Sequence, residues 1–472
     1  MLVPTIGVEV HAELKSKSKV FSNSLNSFNP VNNTNVDVID MGYPGILPKL
    51  NKEVINMALK ASIACNCKIH DVMHFDRKNY FYPDLPKGYQ ITQKDTPIGY
   101  DGYLEIEVNG KLKKIRIERI HIEEDTCKSI HTSNKTLLNF NRSGVPLIEI
   151  VTEPDIESGE EAVLYLEKLR EILLYIGVSD VKIEEGSMRC DANVSLKEQD
   201  SKVLGTKTEI KNIGSISNVM LSINSEIKRQ TELLEKEEKI KEQTRRFDDK
   251  TGTTILMREK ETGNDYRYFP EPDIPYVKIS EEWIKEVKDS LPRLPDDIRK
   301  EYRELGINEN NIKTLIANLE LNEFFMSVLN IVNPITASNL LTGDILSYLN
   351  KNICHMSDIK LTKDNFKELI SKLEDNTISS RQAKEIIPIL LEKGGSVQTI
   401  IDELGFKQIS DTGELEIIIT VIIDENPNSV QDFKDGKDRA IKYLMGQVMA
   451  KTKGQANPKL VSEILLDNLK KR

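Results

Sequence analysis

Short segments of alternating apolar and polar residues fill positions 1 to roughly 290, separated by Gly, Pro and Tyr, and this pattern predicts strands joined by turns. From about 291 onward, apolar residues recur at three- and four-residue spacing, so the pattern becomes helical. Between the two, LPRLPDD (291–297) places two prolines and two acids together, as expected of a linker followed by a helix start. The fold expected is α+β. A mixed or antiparallel sheet cradle with helices spans 1–290, a helical domain 291–405, and a small basic helical tail 406–472.

Within the first part, residues 101–125 read as a hairpin, because Asn109-Gly110 can adopt the positive φ angles of a type I′ turn. Its second strand holds Ile115 and Ile117 in one phase, then Ile120, Ile122 and Glu124 in the other. One extra residue near Arg119, a β-bulge, accounts for the shift. Residues 160–176 predict an amphipathic helix ended by Gly177. Residues 226–246 carry Glu, Lys and Arg so densely that they read as a solvated helix without chemistry. Eight amphipathic helical segments follow between 309 and 470, among them 309–332, 336–351 and 429–450.

Polar residues held in phase along apolar strands are the informative feature, since side chains alternate faces with period two. Glu9 and His11 share a face in IGVEVH, and Glu149 sits between Ile148 and Ile150 in LIEIV. Arg189, Asp191 and Asn193 share a face in MRCDANV, as do Lys207, Glu209 and Lys211 in TKTEIKN. If these faces converge, Glu9, His11, Glu124, Glu149 and Asp191 supply hard oxygen ligands and an imidazole, a set suited to Mg²⁺ or Mn²⁺. Arg189, Asn193, Lys207 and Lys211 beside them suit phosphate oxygens. The competing reading makes each acid the solvated side of a half-buried strand. Glu149 fits that reading worst, because a carboxylate in an apolar run is costly unless paired or metal-bound.

Composition narrows the classes. A net charge of −10 argues against nonspecific coating of nucleic acid. The segment 434–472 nevertheless carries ten Lys or Arg against four Asp or Glu, which suits a tail that faces a polyanion. No run is long and apolar enough for a membrane span, and no leader is evident, so a cytoplasmic protein is expected. The five cysteines form an odd set, consistent with reduced thiols. RKNYFYPDLPKGYQITQ (77–93) mixes three tyrosines with basic residues, equally suited to stacking on a nucleotide or tRNA end and to packing in the core. There is no P-loop signature and no G-x-S-x-G element. His70 and His74 have helical metal-ligand spacing but lack the companion glutamate.

Taken in order, EVHAEL (9–14), KNYFYPDLPKGYQITQ (78–93), HIEED (121–125), NRSGVPLIEIVTEPD (141–155), EEGSMRCDANVSL (184–196), TEIKN (208–212), TRRFD (244–248), DYRYFPEPDIP (265–275) and KGQANP (453–458) resemble the B subunit of the GatCAB aspartyl/glutamyl-tRNA amidotransferase. The first two thirds also resemble the archaeal E subunit. The resemblance implies a heterotrimer in which an amidase A subunit releases ammonia from glutamine and a small C subunit ties the complex together. The B subunit then uses ATP and Mg²⁺ to phosphorylate the side-chain carboxylate of Glu-tRNA(Gln) or Asp-tRNA(Asn), and ammonia displaces the phosphate. It places the metal site on Glu9, His11, Glu124, Glu149 and Asp191, with Glu124, Glu149 and Lys78 also catalytic, and sets Lys78 and Tyr82 beside the ammonia route. It also implies a C-terminal region that grips the tRNA. Residues 36–45 lack the paired cysteines of many members, so no zinc is expected. Thr126-Cys127 and Asn139 also depart from the common pattern. A noncatalytic tRNA-binding scaffold and a stand-alone metal phosphohydrolase are the alternatives.

Overall fold

The structure, a computed structural model, describes residues 2–259, 266–406, 412–434, 439–452, 456 and 458–471. Most of the KGQANP motif, Asp265 and Arg472 lie outside the described residues. The chain divides into two compact units, Met1–Pro295 and Asp296–Arg472.

The first unit is built on a nine-stranded mixed sheet. In chain order its strands are β1 (Leu2–Glu13), β2 (Lys68–Ile69), β3 (Gly99–Val108), β4 (Lys111–Glu124), β5 (Pro146–Thr152), β6 (Met188–Glu198), β7 (Thr208–Lys211), β8 (Gln243–Asp248) and β9 (Thr253–Glu259). Across the sheet the order is β9-β8-β7-β6-β1-β5-β4-β3-β2. Among the described residues, only β7 and β8 run parallel.

Alternation along the central strands separates two chemistries. Ile6, Val8, Val10 and Ala12 of β1 are fully buried in one core with Ile120 and Ile122 of β4, Ile148 and Ile150 of β5, and Ala192 and Val194 of β6. Helices α1 (Lys52–Ala64), α2 (Gly159–Tyr175) and α3 (Ile216–Glu235) complete that core through residues such as Leu59, Tyr165 and Ile223. The opposite face of the same strands is therefore left to the polar phase. The β3–β4 hairpin turns at Asn109 (φ 51°) and Gly110 (φ 74°), with Val108 opposite Lys111, as the Asn-Gly pair predicts. The bulge is also present. Val151 pairs with Arg119 but Thr152 with Ile117, which leaves Glu118 as the extra residue and turns the rest of β4 over.

One reading of the charge pattern is overturned. The helix expected over 226–246 runs instead over Ile216–Glu235, and Gln243–Asp248 is a sheet strand. Nor is it solvated, because Glu226 and Gln230 are fully buried against the sheet. The Glu226 carboxylate and the Gln230 amide N–H find partners there, which charge density alone cannot show.

The second unit is helical. The segment expected as 309–332 forms two helices, Glu309–Ala317 and Leu319–Val328, because the Asn318 side chain accepts from Leu321 N–H and caps the second. The final helices make a core of their own around Leu415, Ile419, Leu444, Val448, Val461 and Leu465. Among the described residues, no helix is long and apolar enough to cross a membrane.

Candidate catalytic centre

Register places the polar phases of four strands side by side. One row across the sheet reads His121 on β4, Glu149 on β5, His11 on β1 and Arg189 on β6. The next brings Glu9 opposite Asp191, and a third brings Asn193 opposite Glu209 and Glu209 opposite Thr244. Residues separated by up to 235 positions thus meet on one face.

Two donor groups result. In the first, His11 Nε2 lies 3.3 Å from Glu123 Oε1 and 3.5 Å from Glu149 Oε2. His121 Nε2 approaches the same glutamates, at 3.7 Å from Glu123 and 3.1 Å from Glu149. In the second, ligand atoms of Glu9, Asp191 and Glu209 lie within 4.8 Å of one another. Asn193 Nδ2 donates to Glu9 Oε1 at 2.8 Å, Thr244 Oγ1 to Glu209 Oε2 at 2.9 Å, and Lys211 Nζ bridges Asp191 (2.7 Å) and Glu209 (2.9 Å).

The charge state follows from this crowding. Burial raises the Glu9 carboxyl and the negative Glu149 raises it further, so the second group carries more negative charge than its surroundings offset. Burial works against the charge on His11, but hydrogen bonds to Glu123 and Glu149 outweigh it and hold the imidazole well above its usual value. Glu149 is buried too, yet the His121 charge and the two imidazole hydrogen bonds draw it well below the usual carboxylate range. Lys78, on the Asp76–Asn79 strand, stays protonated despite burial because Glu123, Tyr268 and Glu149 favour its charge. Its ammonium lies 5.0 Å from the centre of the Tyr266 ring.

The donor set fits a divalent cation. Five carboxylates with one or two imidazoles are hard ligands, and their excess charge is the condition such an ion relieves. His121 Nδ1, buried and without a hydrogen-bond partner in the structure, marks a centre whose polar atoms are not all satisfied by protein.

The structure gathers Glu9, His11, Glu149, Asp191, Asn193 and Lys211 as their strand phases suggest, and departs from expectation at three residues. Glu124 is not with His11. Alternation sends it to the other face, where its carboxylate binds Lys87 Nζ and accepts from Ile91 N–H at 2.9 Å. Glu123, one residue earlier, occupies the place assigned to it. Lys207 precedes β7 and is exposed, outside the cluster. Arg189 lies at the margin, where its Nη2 donates to Asp125 Oδ2 at 2.5 Å.

Three residues of the centre, His121, Glu123 and Glu209, are given no role by the sequence pattern, although it sets Glu209 in phase with Lys207 and Lys211. A signal for the first two exists, since His121 and Glu123 fill the phase left open between Ile120, Ile122 and Glu124. The histidines of the HDVMH segment do not converge. His70 stacks on Tyr100 at 4.2 Å, and His74 pairs with Asp76 at 3.3 Å. Tyr82 is exposed, next to Phe81.

Comparison with known proteins agrees with this architecture. Residues 4–285 match the GatB/GatE catalytic domain, and residues 323–469 the GatB domain. The chain belongs to the GatB/GatE family. It is 51% identical over 470 residues to the B subunit of the aspartyl/glutamyl-tRNA(Asn/Gln) amidotransferase from Geobacillus thermodenitrificans, covering 99% of both chains. The proteins of the same name from Bacillus licheniformis and Bacillus cereus are 50% and 49% identical, again over 99% of each chain. The GatB/GatE catalytic domain thus coincides with the unit that carries both donor groups.

Proposed function

We propose that this amidotransferase subunit activates the side-chain carboxylate of Glu-tRNA(Gln) or Asp-tRNA(Asn) with ATP, and that ammonia from a partner A subunit then forms the amide. The observation that carries this reading is the pair of donor groups on one sheet face, His11 with Glu123 and Glu149, and Glu9 with Asp191 and Glu209. A carboxylate is a poor acceptor for ammonia because its oxygen leaves badly. Transfer of a phosphoryl group supplies a leaving group, and that transfer is governed by positioning and by offsetting negative charge. These six residues would hold Mg²⁺ or Mn²⁺, which when bound offsets charge on the phosphoryl oxygens. Lys78 and Lys211 supply fixed positive charge at the edges of the two groups. Asn193, Thr244 and His121 orient the carboxylates, as outer-shell partners do. A scaffold without chemistry would have no use for five carboxylates crowded on one half-buried face.

The test is transfer of the ATP γ-phosphate with mischarged tRNA, with and without the A and C subunits. The complex should release ADP and phosphate only when aminoacyl-tRNA is present. ATP turnover independent of the aminoacyl group, or none at all, refutes the reading.

The second unit serves the tRNA in this proposal. The surplus of Lys and Arg from Lys434 onward suits phosphate contacts. The helices beyond residue 412 have their own core, so they can be removed without opening another. Truncation after Phe406 is expected to raise KM for aminoacyl-tRNA about tenfold, the loss of a few phosphate contacts, and to leave KM for ATP within about twofold. Steady-state kinetics at two salt concentrations check this, and equal constants before and after truncation deny the tail a role in recognition.

A further inference from the structure

Glu123 of the first donor group, with His121 beside it, sits on a stretch of β4 that has a strand on one edge only. On that edge the pairing with β5 runs Glu149 opposite His121, Ile148 opposite Ile122 and Leu147 opposite Glu123. On the other edge the ladder to β3 ends at Ile120, opposite Gly99, and among the described residues no strand takes over from there. An open edge leaves backbone N–H and C=O groups that need partners.

Two glutamine side chains close this edge in place of a strand. Ile122 N–H donates to Gln93 Oε1 at 3.0 Å, and Gln90 Nε2 donates to Glu124 O at 2.7 Å. Both glutamines are buried. Gln93 is itself held from behind, since its Nε2 donates to His74 O at 3.3 Å and Thr96 O at 3.4 Å, while His74 N–H donates to Thr96 Oγ1 at 2.9 Å. The amide is what this position requires. An ionised carboxylate could accept from Ile122 but could not donate to two carbonyls, and a hydrocarbon could do neither. Ile122 and Glu124 flank Glu123, so the two bonds fix the backbone on either side of that ligand. Gln90 also stands opposite Lys78 where Tyr89–Thr92 pairs with Asp76–Asn79, which ties the lysine to the same frame.

We infer that Gln90 and Gln93 are positioning residues: by holding the backbone at Ile122 and Glu124 they aim the Glu123 carboxylate at the ion site it shares with His11 and Glu149. The inference rests on the metal-dependent reading above.

Mn²⁺ titrations of the assembled amidotransferase without nucleotide or tRNA, read by the EPR signal of the free ion, test it. The ion of the first donor group is the one that Glu149→Gln releases. Gln93→Met, close to Gln in volume, should weaken that ion about tenfold, and Gln90→Met, which gives up a single bond, about fivefold, near the low end for groups that orient metal ligands. Ile223→Val removes a buried CH₂ from the α3 side of the core. It should lower the thermal midpoint measured in EDTA yet leave the ion within about twofold, as a loss of packing alone does. A glutamine whose variant binds the ion as wild type does has no positioning role, and an equal weakening in Ile223→Val overturns the role of both. Should Gln93→Met fail to fold, Gln90→Met decides by the same criterion. A wild type that holds no ion released by Glu149→Gln refutes the metal-dependent reading itself, and the positioning role falls with it.

Discussion

Glu149→Gln in the assembled amidotransferase is expected to lower kcat for ATP-dependent amide formation at least about a thousandfold while glutamine hydrolysis by the A subunit stays within about twofold. Glu149 is nearly buried, and its Oε2 is 3.5 Å from His11 and 3.1 Å from His121. Glutamine keeps the volume and one oxygen but removes the negative charge, so the first donor group retains Glu123 as its one carboxylate beside His11 to hold a dication. A metal ion contributes several kcal/mol of charge stabilisation to phosphoryl transfer, and about 4 kcal/mol corresponds to a thousandfold in rate. Glu123→Gln should behave alike, since both glutamates face the same imidazoles. Glu124→Gln is the informative contrast. Its carboxylate belongs to Lys87 on the other face, so its loss should leave the Mg²⁺ concentration for half-maximal rate unchanged. Conversion of Glu-tRNA to Gln-tRNA at saturating ATP, with thermal midpoints as a folding control, measures all three. Near-normal amide formation by Glu149→Gln, or a shifted Mg²⁺ requirement confined to Glu124→Gln, refutes this arrangement.

That contrast also shows where the sequence stops being legible. Period-two alternation is enough to put Glu9, His11, Glu149, Asp191 and Asn193 on one face of their strands, because β1, β5 and β6 are long and their apolar phase is unbroken. The β4 strand is harder. Its bulge is legible, but the two acids after it occupy opposite phases, and only pairing with β5 shows that Glu123 shares a face with Glu149. Glu209 is in phase with Lys211, yet nothing in the sequence marks it as a ligand. Its partners, Asp191 and Thr244, come from β6 and from the parallel strand β8, and a parallel neighbour leaves no hairpin signal. The α+β division is visible in the change of period near residue 291, whereas the capped break at Asn318 is absorbed into one long helical pattern.

The misread helix α3 supplies the largest stability effect. Glu226→Ala is expected to destabilise the first unit by about 3–5 kcal/mol, the cost of stripping one partner from buried charges, or roughly 6–10 °C at about 2 °C per kcal/mol for a unit of this size. The Glu226 carboxylate is fully buried and accepts from Arg229 Nε at 2.9 Å and Nη2 at 2.5 Å, Gln230 Nε2 at 2.9 Å and Thr254 Oγ1 at 3.0 Å, with Arg245 Nε at 3.7 Å. Arg245 and Thr254 belong to β8 and β9, so one carboxylate ties the helix to the sheet edge. Alanine leaves Arg229 and Arg245 facing each other with nothing between. Burial alone would raise this carboxyl, but the Arg229, Gln230 and Thr254 hydrogen bonds outweigh it and hold its pKa below the ordinary 4.5. The stabilisation is therefore complete above about pH 5 and is lost as pH falls through the lowered value. Denaturant unfolding should show wild type and Glu226→Gln well separated at pH 7 and converging in acid. Removing the bidentate pair in Glu226→Leu/Arg229→Met should recover at least half of the alanine loss, because the penalty lies in the unpaired charge rather than in the absent pair. A Glu226→Ala protein within about 1 kcal/mol of wild type, or a double variant worse than the single, means that apolar packing of Val219 and Ile223 holds α3 unaided.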